Sequence, residues 1–379
     1  MNQNILFIPL EFQRWQQGRS LAYPSQLGLE EGLRAANATV LTLPTLHGVS
    51  SSAPASWLRH AQRLCAGKKF DQVWVEIVHS SLDEDMLVWL SSIAPVRVGF
   101  LLESLQYDSE VYKHAPHLLG RKALVSNRLR YFTHVMAADE KDAAEIEQGG
   151  AVRAMWWPQA VPSQFVESFA PPMTSDFAVF YGALYGDRAS WFDHPKLQGL
   201  LRAPQPSLEH ATRYPIYFDE LMTLGVTRLE QGVSPSMDLL EKFLRLLRHI
   251  RQEIFRLWLR SLQTGCAVVN LPSFFNGYPG RVFEAMAAGR PVITPRLHDR
   301  PQTSSLFTEG EEILLFDKNA PDELADCIRR VKMDRKLSQR LAENALHTVR
   351  ALHTVERRVL EILTWIESGN APSYGNLRT

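Results

Sequence analysis

The chain has 379 residues, 45% hydrophobic and 22% charged, a balance that suits a soluble globular protein and leaves room for two domains with separate cores. Lysine plus arginine and aspartate plus glutamate number 41 each, so no net field argues for nucleic acid or an acidic polymer as partner. Cys65, Cys266 and Cys327 are odd in number, far apart and without metal-ligand spacing; they read as buried free thiols of a reducing compartment. The stretch Met1–Phe12 has no basic region ahead of an apolar one, and charges interrupt every hydrophobic run before membrane-spanning length. A cytoplasmic protein is expected.

Along the chain, short apolar runs alternate with amphipathic stretches. Strands are expected at Ile5–Leu10, Val40–Leu43, Gln72–Val78, Val96–Leu102 and Phe132–Ala137, with helices at Gln26–Ala36, Ala55–Cys65 and Glu140–Glu147. This alternation predicts a parallel sheet covered on both faces, with ligands in the crevice at the carboxyl ends of its strands. Ala170-Pro171-Pro172-Met173-Thr174-Ser175 reads as a linker, because two prolines in a short polar stretch hold the backbone extended. The pattern then restarts, with strands at Asp176–Phe180, Ala267–Leu271, Pro291–Thr294 and Ile313–Phe316. Helices are expected at Ser236–Leu262 and Pro321–Val331, and one helical stretch from Asp334 to Ser368. No repeat of fixed period occurs. Two similar α/β domains with a cleft between them is the natural reading.

The segment Leu271–Thr294, LPSFFNGYPGRVFEAMAAGRPVIT, carries the most information. It reads as an apolar strand, a Gly/Pro-rich loop, a short helix that stops at Gly289, and a second strand opened by Pro291. Such a loop exposes backbone N–H groups at a helix N-terminus, where the peptide dipoles favour an anion. Glu284, one turn into the helix, is placed to accept from two neighbouring hydroxyls such as a ribose diol. The plain alternative is a β-turn-α unit of an ordinary core. Ser236–Leu262 is basic and amphipathic. A core-facing helix with a solvated basic side is the preferred reading, and peripheral contact with an anionic membrane is the alternative.

Arg281-Val282-Phe283-Glu284-Ala285-Met286-Ala287-Ala288-Gly289-Arg290-Pro291-Val292 resembles the group 1 glycosyltransferases of the two-Rossmann-domain (GT-B) fold, and among them the spore-maturation-protein-like branch. Three other stretches agree in order and spacing: Phe180–Arg188, Phe307-Thr308-Glu309-Gly310 through Phe316, and His353-Thr354 with Arg357 or Arg358. The resemblance covers roughly the last half of the chain. It implies an α/β protein of two Rossmann-like domains facing each other across a cleft. An acceptor-binding domain would span 1–170 and a nucleotide-sugar-binding domain 171–350, with a C-terminal helix and tail at 351–379 crossing back. It also implies transfer of a sugar, a hexose by preference, from a nucleotide diphosphate donor. The acceptor would be a saccharide, a lipid-linked group, a protein or a small molecule. No cofactor and no metal are expected, since positive residues and helix N-termini would neutralise the leaving diphosphate.

Carried onto this chain, Glu284 matches the family glutamate that holds the donor ribose; a solvated or capping carboxylate is its plain reading. Gly277, Tyr278 and Gly280 match the loop whose backbone faces the diphosphate and sugar. Asn276 departs from the pattern, because many group 1 enzymes have a glutamate there, and an amide supplies no negative charge to a cationic sugar centre. Arg281 either binds phosphate or braces the loop. Arg188, just past the Gly182 loop, is placed to reach a diphosphate, and Thr294 and Arg296 are expected to border the cleft. In the first domain Glu103, Glu11 and His79 each follow a strand, where an inverting transferase would keep the base for the acceptor hydroxyl and a retaining one would use polar groups to position the sugar, the donor phosphate taking the proton. Glu103 is the first choice. A sugar-nucleotide epimerase of the same fold and a non-catalytic nucleotide-sugar binder are the competing readings.

Overall fold

The computed structural model describes residues 3–14, 20–21, 28–43, 45–46, 53–80, 82–107, 109–166, 175–182, 184, 186–203 and 237–374. Two parallel sheets organise them. The first has six strands, in the order Thr39–Thr42, Asn4–Ile8, Gln72–Glu76, Val96–Leu101, His134–Ala137 and Arg153–Trp156. The second has five, in the order Leu201–Arg202, Ala178–Val179, Val268–Val269, Val292–Pro295 and Leu314–Phe316. In both, the second strand along the chain lies on one side of the first and the third strand on the other. The order therefore reverses beside the first strand, and a crevice opens between the carboxyl ends of strands one and three. All five residues of Gln72–Glu76 are buried, as a strand covered on both faces requires.

The expected strands lie where the apolar runs lie, most of them shortened at their ends and two, Thr39–Thr42 and Val292–Pro295, shifted by one residue. Asp176–Phe180 contracts to Ala178–Val179 and Ala267–Leu271 to Val268–Val269. Apart from Ser175, the Ala170–Ser175 linker falls outside the described residues. The helical stretch expected from Asp334 to Ser368 is two helices, Arg335–Leu352 and Val355–Ser368. Thr354 separates them: its backbone is extended (φ −91, ψ 149) and its hydroxyl accepts the Arg357 N–H as an N-cap. Here Val161 N–H donates to His353 C=O (3.0 Å) and Val355 N–H to Val161 C=O (3.1 Å), so the returning chain crosses beside the departing one.

The helix Val355–Ser368 then packs on the first domain. A Cβ at Gly32 would stand 2.8 Å from Val359 Cγ2, so a glycine is what lets the helix Leu29–Ala35 lie this close. Trp365 meets His134 edge-on, ring centroids 5.0 Å apart. An apolar cluster runs from the first sheet through this helix to Phe255, Phe283 and Phe307 of the second domain, while a separate cluster fills the far face of the second sheet.

The helix Met237–Leu262 uses its second half to face the core. Phe255 and Leu259 are buried there, and Arg248 holds both carboxylate oxygens of Glu30 in the first domain, with Nε at 2.8 Å. All three cysteines are buried and free. Among the described residues no helix is long and apolar enough to cross a membrane.

Candidate active site

The first-domain crevice is built from a buried carboxylate outward. Glu76, fully buried, ends the third strand, and its two oxygens accept the backbone N–H groups of Val78 (3.0 Å), His79 (2.9 and 3.1 Å) and Ser80 (2.8 Å). Buried Arg128 donates to the carbonyls of Ile77 (2.7 Å) and Leu82 (3.1 Å). Together they fix the direction of His79, whose Nε2 lies 3.2 Å from Glu103 Oε1. The second Glu103 oxygen takes Arg121 Nη1 at 2.5 Å. Arg121 opens the helix Arg121–Leu129 just after Gly120, whose φ is +82. A cation there opposes the helix dipole, and the ion pair with Glu103 offsets that cost.

Only 5% of the His79 side chain is exposed, against 37% for Glu103, so Glu103 is the member that faces solvent. Burial disfavours charge on both, but the hydrogen bond and the opposite charges win: Glu103 is held below the ordinary carboxylate range and His79 above the ordinary imidazole range. Two of the three expected acceptor-side residues therefore form one unit. The third, Glu11, lies on the short strand Leu10–Arg14 of a separate three-stranded sheet, and its side chain is outside the described residues.

In the second-domain crevice, Asn270 follows the Val268–Val269 strand. Its amide donates to Thr294 Oγ1 (3.0 Å) and its carbonyl accepts from Arg281 Nη1 (3.2 Å). Thr294 is 1% exposed, so it braces the interior and does not border the cleft as expected. The Arg281 guanidinium lies 4.8 Å from the centre of the Phe180 ring, and a Cβ on Gly182 would overlap it. Arg188 approaches the same ring at 5.2 Å but is 5% exposed and donates to the carbonyls of Pro272 (2.7 Å) and Leu271 (3.3 Å). It supports the loop from behind. Gly182, Arg188 and Arg281 thus meet around Phe180, whereas Arg296 is engaged by both oxygens of Glu309 (2.8 and 3.1 Å).

The helix Gly280–Ala287 starts after Pro279, and no side chain caps it. Glu284 accepts Trp258 Nε1–H at 2.7 Å. Burial raises its carboxyl above the ordinary range, with Trp258 and Arg281 pulling the other way. Glu284 and Gly280 line a narrow cavity with Gln159, Phe255 and Arg358. A Cβ on Gly280 would stand 3.1 Å from Glu284 Oε1, so the glycine leaves that oxygen clear. Tyr278 turns its side chain inward, 3% exposed, its ring centre 5.8 Å from that of Phe307, so the side chain packs inside the domain. Gly277 makes room for Phe275, whose ring would sit 2.8 Å from a Cβ there. Asn276 reaches across the cleft and donates to the Gln106 carbonyl at 2.9 Å. A glutamate at this position, being ionised, has no proton to give.

Glu76, Arg121, Arg128, Asn270 and Trp258 are absent from the residues expected from sequence. Two of them left a signal: a glutamate directly after the apolar run Val73–Val75, and an arginine opening a helix directly after a glycine. Among the described residues, no three or more His, Cys, Asp or Glu side chains gather as a metal site would need.

Residues 251–364 match the model of a family described as glycosyl transferase-like. Among solved structures, the chain is similar to sucrose-phosphate synthase from Thermosynechococcus elongatus (14% identity, TM-score 0.62, covering 97% of this chain and 98% of that one). It is also similar to Anabaena HepE in complex with UDP-glucose (13% identity, TM-score 0.56, covering 97% and 100%). A third is an alpha-glucosyltransferase in complex with UDP and a 13-mer DNA containing a HMU base (10% identity, TM-score 0.58, covering 97% and 100%). No curated protein sequence matches the chain. These likenesses establish the fold: α/β, with two Rossmann-like domains of the GT-B type facing each other across a cleft.

Proposed function

We propose that the protein is a glycosyltransferase that moves a sugar from a uridine diphosphate sugar to an acceptor hydroxyl. The observation that carries this reading is the pairing of two switch-point crevices. One offers an ionised, solvent-facing Glu103; the other offers an uncapped helix N-terminus, Arg281 and Glu284. The donor's ribose would meet Glu284, and its diphosphate would lie at Gly280 and Arg281, with Arg188 contributing positive charge behind the loop. Glu103 would take the proton of the acceptor hydroxyl as its oxygen bonds to the anomeric carbon. The bond from that carbon to the diphosphate breaks, and the electron pair leaves with UDP. Charge neutralisation by these groups is the basis for proposing transfer without a metal. The four matching stretches support the spore-maturation-protein-like branch, and the three free thiols support a cytoplasmic location.

The test is incubation with a panel of uridine, guanosine and thymidine diphosphate sugars, following donor loss and products. Donor hydrolysis or transfer is expected, with Glu284→Ala weakening UDP binding at least tenfold, about 1.4 kcal/mol, and Glu103→Gln cutting turnover more than donor affinity. Isomerised donor would instead assign an epimerase. Binding without any turnover would reduce the protein to a nucleotide-sugar binder.

A further inference from the structure

The turn that follows Glu103 is held from the opposite domain. Ser104, 1% exposed, donates its hydroxyl to Asp139 Oδ2 (2.5 Å) and accepts the Gln106 N–H (3.1 Å). Asp139, fully buried, caps the helix Glu140–Gln148 by accepting Lys141 N–H (2.9 Å). Arg300 comes from the second domain, 1% exposed, and grips that carboxylate twice: Nε to Oδ1 at 2.7 Å and Nη2 to Oδ2 at 3.0 Å. The second tie from that domain is Asn276, which donates to the Gln106 carbonyl. Asp142 completes the set, accepting Leu105 N–H and Gln106 Nε2–H, both at 2.7 Å. Each residue from Ser104 to Gln106 is therefore anchored, and two anchors lead to the donor side.

The neighbouring contacts are of the same kind. Glu140 accepts Gln302 N–H (3.1 Å), Thr303 N–H (2.5 Å) and the Thr303 hydroxyl (2.7 Å), and Lys141 pairs with Asp299 (2.6 Å). A seam of charges and hydrogen bonds is one that water can replace when two domains part. A buried carboxylate stripped of its guanidinium does not stay as it was, because an uncompensated charge is costly in the interior. Without Arg300, Asp139 keeps only the Lys141 N–H and the Ser104 hydroxyl, so the guanidinium is what holds the charge of that carboxylate in place beside Ser104.

We infer that Ser104 and Asp139 are positioning residues through which docking of the second domain sets the Glu103–His79 pair. Glu103 is aligned on His79 when Arg300 and Asn276 are seated, and released when they lift. The inference rests on the reading of Glu103 as the acceptor-side base.

The experiment is a pH titration of His79 by NMR on the full chain with labelled histidine, one of 12 in the sequence, assigned through His79→Gln. Glu103, Glu76 and Arg121 are the charged groups that act on it. Glu103→Gln should lower the His79 midpoint. Arg300→Gln and Asn276→Ala, both changes in the other domain, should lower it in the same direction by at least half of that drop. The sign is diagnostic, because losing the Arg300 charge through the long-range field alone would raise the midpoint. An unmoved or raised midpoint in folded Arg300→Gln and Asn276→Ala, with Glu103→Gln still effective, overturns the inference; so does a Glu103→Gln that moves nothing. Should Arg300→Gln not fold, Asn276→Ala decides alone. Sugar-transfer assays on the intact chain separate the two readings. Binding of a uridine diphosphate sugar with neither hydrolysis nor transfer sinks the transferase while the titration coupling stands, and turnover with an unmoved midpoint sinks the coupling alone.

Discussion

Glu76→Gln tests the loop that aims His79 with a change of one atom. The carboxylate accepts from three backbone N–H groups, and the His79 N–H is shared between both oxygens. An amide keeps one accepting oxygen and turns an NH2 toward donors, so either Val78 N–H or Ser80 N–H loses its partner whichever way the amide lies. A buried unsatisfied donor costs about 1–3 kcal/mol. The remaining bonds lose their charge assistance, about 1 kcal/mol more, and Arg128 loses a nearby opposite charge. The sum is about 2–4 kcal/mol of local stability, read as exchange of the Val78–Ser80 amides at least about 30-fold faster. Native-state hydrogen exchange followed by mass spectrometry measures this directly, and it avoids the assumption of two-state unfolding in a two-domain chain. Exchange within about threefold of the parent, in a variant that remains folded, would refute the cradle.

Two further outcomes follow from the same geometry. The His79–Glu103 pair should stabilise the fold most between roughly pH 4.5 and 6.5. His79, with its value raised, contributes fully below 6.5 and fades as pH rises through its folded value; Glu103, with its value lowered, contributes fully above 4.5 and fades as pH falls through its own. The melting-temperature gap between parent and Glu103→Gln should peak in that window, and a flat gap from about pH 4 to about pH 8 would contradict the pairing. Gly182→Ala places a methyl where the Arg281 guanidinium lies, so UDP affinity by calorimetry should fall about tenfold, about 1.4 kcal/mol. Unchanged affinity would remove Arg281 from the donor site.

How much of this was readable beforehand depends on whether a residue's partner is near in sequence. The strands announced themselves as apolar runs, and the Gly-loop-helix of 277–287 was visible because its parts are adjacent. His79 and Glu103 were each placeable at a strand end, yet their pairing depends on the third and fourth strands being neighbours. Glu76 carried a local signal, a charge inside Gln72–Glu76, that periodicity alone treats as noise. Arg188 illustrates the opposite failure: its position past a glycine loop suggested a ligand contact, but carbonyls more than 80 residues away, at Leu271 and Pro272, claim it. Arg300 and Asp139 lie 161 residues apart in different domains, and no pattern in the chain couples them. The resemblance set a separate C-terminal helix from 351, whereas periodicity alone ran the helix through Thr354, since threonine is tolerated within helices and only the crossing at Val161 makes it a cap.

The position of the last helix also bears on how the chain acquires its shape. Because Val355–Ser368 covers the first domain, that domain is interrupted by the second and completed by residues made after it. During synthesis the second domain is made while the first still has a face open around Gly32 and His134. The first domain therefore cannot cover that face until Val359 and Trp365 have been made.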